Sequence, residues 1–110
     1  MIKIGIMTDE EFDGIISSDK LTVVDFSAVW CGPCKMMEPV LEDAAEKHQG
    51  EYNFYQVDVD SAENLAKRFG IMAVPTIIAF KRGKIAKQTS GYMPLEDIEI
   101  FLSEANQKTF

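Results

Sequence analysis

Hydrophobic residues along the chain recur at two spacings. They alternate or run together over short stretches, and elsewhere return every three to four positions, so strands and helices take turns. Ile2 to Ile6 reads as a short first strand. Thr8-Asp9-Glu10-Glu11 has the form of a capping box, in which a hydroxyl and a carboxylate satisfy free backbone amides at a helix start. The helix it opens carries Phe12, Ile15 and Ile16 as its inward stripe. Leu21-Thr22-Val23-Val24-Asp25-Phe26 is almost unbroken in apolar and β-branched residues, as in a strand covered on both faces. A long helix follows Pro33 and stops at Gly50. Met36, Met37, Val40, Leu41, Ala44 and Ala45 are expected to point inward, and Pro39 predicts a kink. Asn53 to Val59 is the next strand, and Ser61 is placed to cap a short helix that ends at Gly70 with Leu65 and Phe69 inward.

The last third changes character. Thr76 to Phe80 and Ile85 to Thr89 are strands joined by Lys81-Arg82-Gly83-Lys84, a connection short enough only for antiparallel neighbours. Pro94 suits the first turn of a final helix with Leu95, Ile98, Phe101 and Leu102 inward. The order is β-α-β-α-β-α-β-β-α. It predicts an α/β fold: a mixed five-stranded central sheet, parallel where helices intervene and antiparallel at the hairpin, flanked by about four helices. Residues 1–110 read as a single domain without repeat or linker, with a frayed tail over residues 106–110.

Composition narrows the functions. An apolar share of 46% over 110 residues is enough for a core that needs no disulfide staple. A net charge of -7 repels phosphate backbones and anionic lipid, which sets nucleic acid and membrane surfaces aside as partners. No apolar run approaches the roughly 18 residues of a membrane span, and the N-terminal apolar stretch is too short for a secretory signal. The expectation is a cytoplasmic monomer. The whole cysteine inventory is Cys31 and Cys34. In a reducing compartment such a pair points to redox chemistry or to a metal.

The pair lies in Trp30-Cys31-Gly32-Pro33-Cys34-Lys35, between a buried strand and a long helix. Ligands of α/β sheets bind outside the carboxyl ends of strands, where this segment falls. At a helix N-terminus, free amides and the helix dipole favour a thiolate at Cys31, and only the thiolate attacks disulfides. Cys34, three residues on, shares that face and is close enough to close a ring. The expectation is one exposed and one shielded sulfur. Gly32 leaves the approach open, and Pro33 stiffens the turn at a position where a helix needs no amide hydrogen. A structural zinc site wants about four ligands, against two cysteines and His48 here. A structural disulfide closing so small a loop would restrict the unfolded chain little.

The segment Trp30 to Lys35 resembles the thioredoxin active-site signature in full, and Val24-Asp25-Phe26, Ala73-Val74-Pro75-Thr76 and Gly91 extend the resemblance over most of the chain. The resemblance implies a thioredoxin fold and a protein-disulfide reductase, a thiol–disulfide oxidoreductase that carries electrons with no cofactor beyond the Cys31–Cys34 pair. Cys31 would be the nucleophile and Cys34 the resolving thiol. Asp25 would be the buried acid that moves a proton to or from Cys34. Burial by itself raises a carboxyl pKa toward a useful range. Pro75 would be a cis-proline facing the dithiol, and Val74 would offer its backbone to an extended substrate. Trp30, Gly32, Pro33, Val74, Pro75, Gly91 and Tyr92 would form an apolar docking patch. The implied partners are disulfide-containing proteins and a thioredoxin reductase, linked to NADPH or to ferredoxin.

The sequence departs from the family pattern at two places. Ser27 stands where a second tryptophan is usual, and Gln56 where a lysine near Asp25 is usual. Without that cation the Asp25 pKa should lie higher still. Two other functions fit the same motif: a thiol oxidase or isomerase, and a non-catalytic binding subunit of a larger complex. Gly-Pro between the cysteines speaks against the oxidant. Away from the motif, Lys81, Arg82, Lys84 and Lys87 read as a solvated edge, His48 as a surface residue near a helix end, and Met36 and Met37 as packing residues.

Overall fold

A computed structural model of the chain describes residues 3–4 and 8–110. In chain order the elements are β1 (Lys3–Ile4), α1 (Asp9–Ile16), β2 (Thr22–Ser27), α2 (Gly32–Lys47), β3 (Asn53–Asp58), α3 (Glu63–Arg68), β4 (Thr76–Lys81), β5 (Lys84–Ser90) and α4 (Leu95–Asn106). They follow the sequence reading element for element. The sheet order is β1-β3-β2-β4-β5, parallel from β1 through β3 to β2 and antiparallel from β2 through β4 to β5. Four long strands carry this sheet, and β1 adds only two residues at one edge. The rest of the expected first strand, Ile2, Gly5 and Ile6, lies outside the described residues.

β2 is central, and all six of its residues are buried because both faces of the sheet are covered. On one face Val23, Phe54, Ile77 and Ala79 meet Met37, Leu41 and Ala44 of α2 and Ile98, Phe101 and Leu102 of α4. On the other, Val24, Phe26, Val57, Ile78 and Phe80 meet Phe12 and Ile16 of α1 and Leu65 of α3. Phe12 is the hub of that second core. Its ring lies 6.3 Å from Phe26, 5.3 Å from Phe69 and 5.5 Å from Phe80, distances at which tilted and edge-on aromatic pairs attract. The sheet register puts Asp25 beside Gln56 and Ser27 beside Asp58. Side chains alternate along a strand, so these four share the face that α2 covers.

Several local expectations are corrected. Thr8 caps α1 by accepting the Glu11 amide hydrogen at 3.1 Å, which is one half of the capping box. Ser61 does not cap α3. Its hydroxyl instead donates to Asp58 at 3.2 Å, and Ala62 holds the cap position without a side-chain bond. Met36 is 58% exposed, because adjacent helical positions cannot both face the sheet and Met37 takes the inward one. Pro39 lies inside α2, where the sequence placed it, and the helix continues past it to Lys47.

The hairpin closes with Arg82 and Gly83 both at positive φ, the conformation of the tight turn that matches strand twist. Its cations are not simply solvated. Lys81 donates to the Asn106 carbonyl at 2.9 Å, Arg82 to Asp19 at 3.1 Å and to the Phe110 carbonyl at 3.3 Å, and Lys87 pairs with Glu104 at 3.0 Å. The tail expected to fray is thereby tied to the hairpin. His48, expected at the surface near the helix end, is half-buried there, its side chain 15% exposed. Among the described residues no helix is long and apolar enough to cross a membrane.

Candidate active site

The dithiol segment begins where β2 runs out of sheet. After Ser27 the chain turns through Ala28 to Trp30, and Cys31 becomes the N-cap of α2 with extended backbone (φ -91°, ψ 115°). Its sulfur accepts the Cys34 amide hydrogen at 3.2 Å. An N-cap serine or aspartate uses its oxygen in the same way, so the free amide at the third position of the helix is satisfied by sulfur. Pro33 fits the first turn of the helix because it has no amide hydrogen to leave unpaired. Cys31 and Cys34 are joined as a disulfide, with Cα atoms 5.2 Å apart.

The expected contrast in exposure is small in this oxidised form: Cys31 is 4% exposed and Cys34 1%. Both sit in a small apolar cluster with Ala28, against Val59 and Val74. Access comes from above Gly32, where nothing lies within 4 Å of the place a Cβ would occupy. The Cys31 sulfur lies 3.6 Å from the Val74 carbonyl oxygen. Among disulfide-bonded atoms this is a contact only.

The neighbouring loops complete the surface. The Val74–Pro75 peptide is cis, as the resemblance implied. The Gly91 amide donates to the Pro75 carbonyl at 2.8 Å, from a backbone at φ 91° that a residue with a Cβ would resist. Trp30 is 68% exposed, and its indole N–H donates to Asp60 at 2.8 Å, which anchors the ring at the surface. Gly32, Pro33 and Tyr92 are exposed, and Val74 and Gly91 half-buried. Pro75 corrects the docking patch: it is buried, because β4 begins immediately after it inside the sheet. Met72, 97% exposed, and Val29 stand beside this surface and were missed, since a lone apolar residue in a loop carries no periodic signal. Asp60 was missed because its partner is distant in sequence.

Asp25 lies beneath, 1% exposed. Its one side-chain partner is the Gln56 amide at 3.4 Å, and the same amide donates to the Ser27 hydroxyl at 3.1 Å. The other Asp25 oxygen has no hydrogen-bond partner among the described residues. Burial pushes the carboxyl up from 3.8 to about 7, opposed by the Gln56 hydrogen bond and reinforced by the negative charge of Glu38. The expected rise is present. Gln56 supplies a donor where a cation would have supplied charge. Among the described residues no group of three or more His, Cys, Asp or Glu side chains is placed to hold a metal ion.

The family model for thioredoxin matches residues 3–104. A thioredoxin of Alicyclobacillus acidocaldarius is 45% identical over 101 residues, which span 92% of this chain and 96% of that protein. The chain belongs to the thioredoxin family. Thioredoxin-1 of Saccharomyces cerevisiae is 44% identical over 87 residues, 79% of this chain and 84% of its own length. Among solved structures, the thioredoxin of Malassezia sympodialis superposes with a TM-score of 0.85 at 33% identity, over 96% of this chain and 91% of that one. That of Plasmodium falciparum superposes with a TM-score of 0.84 at 31% identity, over 94% and 98%. Thioredoxins are thiol–disulfide oxidoreductases, and this one reduces protein disulfides by dithiol–disulfide exchange through its single cysteine pair.

Proposed function

We propose that Cys31 is the attacking thiolate of this reductase and Cys34 the thiol that resolves the intermediate. The observation that carries this assignment is the Cys34 N–H directed at the Cys31 sulfur from the start of α2. An amide donor and the helix dipole both favour negative charge on that sulfur, and among the described residues no such donor is recorded at the Cys34 sulfur. The Cys31 thiolate attacks one sulfur of the target disulfide, forms a mixed disulfide and expels the other sulfur as a thiolate. Cys34 then gives its proton to Asp25 and attacks Cys31. The Cys31–Cys34 disulfide forms, and the second target sulfur leaves. Asp25 suits this role because a carboxyl with a pKa of about 7 holds or releases a proton near neutral pH.

The target docks as an extended segment along Val74, whose carbonyl sits next to the reacting sulfur, with Trp30, Gly32, Pro33, Gly91 and Tyr92 around it. Pro75 acts from below by shaping the loop. A flavoprotein or ferredoxin-linked thioredoxin reductase returns two electrons to the pair. The chain acts as one domain and a monomer in the cytoplasm, where the reducing poise keeps such a dithiol open.

Cys34→Ser should accumulate mixed disulfides through Cys31 when incubated with disulfide-containing proteins, and Cys31→Ser should lose insulin reduction. Trapping through Cys34 in a Cys31→Ser protein, or faster alkylation of Cys34 than of Cys31 in the reduced protein, would reverse the assignment.

A further inference from the structure

A cleft of about 280 Å³ opens between α2 and the β2–β3 ladder, lined by Ser27, Ala28, Val29, Glu38, Gln56 and Asp58. We infer that this cleft is the route by which the Asp25 proton exchanges with solvent, with Gln56 positioning the carboxyl at its inner end and Glu38 receiving the proton at its mouth. The inference rests on the acid–base role proposed for Asp25 and says how that role is completed.

Three observations converge on it. Asp25 is 1% exposed, so its proton needs a path. The Gln56 amide joins the two compartments, since it touches the Asp25 carboxyl and the cleft-lining Ser27 hydroxyl at once. The cleft is large enough for several waters, each of which needs about 30 Å³ and two or more polar partners. Ser27, Gln56, Glu38 and Asp58 supply those partners.

The charges in the cleft are Glu38 from α2 and Asp58 from β3, with no lysine or arginine among the lining residues. On the other side of β2, β4 places the apolar Ile77 opposite Asp25. A proton is therefore drawn to this cleft and an anion repelled. Glu38 follows Cys34 by one helical turn, which puts it over the same end of the sheet as the resolving thiol.

The protons balance. When Cys34 attacks, its proton moves to the Asp25 carboxylate and the target sulfur leaves as a thiolate, which is protonated from solvent. The Asp25 carboxyl then passes its proton through water in the cleft to the Glu38 carboxylate, which gives it to bulk water.

The test compares single-turnover resolution of a mixed disulfide by wild type, Asp25→Asn, Glu38→Gln and Gln56→Leu, at low buffer concentration and with added imidazole. Glu38→Gln should slow resolution roughly 10-fold in dilute buffer, less than the about 100-fold lower end for loss of a positioned acid or base. Imidazole should restore it, because a small diffusing base replaces the receiving carboxylate. Gln56→Leu should shift the pH profile of resolution upward, since the donor that favours the Asp25 carboxylate is gone. A Glu38→Gln protein at wild-type speed in dilute buffer, or slow and deaf to imidazole, overturns the cleft route. An unchanged pH profile in Asp25→Asn overturns the acid–base role itself, and the route with it.

Discussion

Asp25 owes its chemistry to neighbours the local sequence does not reveal. Its strand is apolar enough for burial to be read directly, and burial is the largest influence on its proton. The Gln56 bond and the Glu38 charge arise only because β3 pairs with β2 and α2 lies across them. The effect on stability has a definite sign. Between pH 3.8 and about 7 the folded protein holds a proton that the unfolded chain has lost, so stability falls as pH rises through that window. The gap corresponds to about 4 kcal/mol. Asp25→Asn should therefore unfold at higher urea than wild type above about pH 8, with the difference vanishing below about pH 4. A difference that does not change with pH would mean the carboxyl is not the buried, unpaired group described.

Among the elements, α2 shows both what patterning reveals and what it misses. Its start, its length and its inward stripe of Met37, Leu41, Ala44 and Ala45 follow from the chain alone, whereas the choice between Met36 and Met37 needed the sheet beneath. At its far end His48 touches Glu51 at 2.6 Å through Nδ1 and Glu99 of α4 at 2.7 Å through Nε2, with Tyr52 stacked 4.6 Å away. A neutral imidazole has a single N–H, so two carboxylate partners require the doubly protonated ring. Burial pulls the His48 pKa down, and the bonds and charges of Glu51 and Glu99 more than offset it, leaving it above 6.5. A raised histidine pKa gives stability that is complete below the unfolded value and is lost as pH climbs through the folded one. His48→Gln should lower the unfolding free energy by about 1–2 kcal/mol near pH 6, and by progressively less in urea titrations at higher pH. A loss that grows with pH would refute the clamp.

For the molecule as a whole, the sheet separates two cores that do different work. The face under α2 and α4 carries Asp25 and supports the dithiol, while the aromatic cluster around Phe12 lies on the opposite face. Removing the Phe12 ring should cost about 3–5 kcal/mol, because a fully buried phenyl leaves a cavity among three other rings. Phe12→Ala should then melt earlier by calorimetry, yet its folded form should alkylate at Cys31 at the wild-type rate. A matching drop in thiol reactivity would show that the two faces are coupled.

Element order, fold class and the dithiol were legible in the chain by itself. Period-two and period-3.6 patterns and the strand–CGPC–helix junction are local, and a cysteine at a helix start is activated by its own backbone. Tertiary structure alone decided which side chains meet across distant segments: Asp60 on the Trp30 indole, Gln56 on Asp25, Glu99 on His48, and the tail on the hairpin cations. Such pairings depend on which strand lies beside which and on the direction each side chain leaves its backbone. A linear pattern of apolar and polar positions records neither.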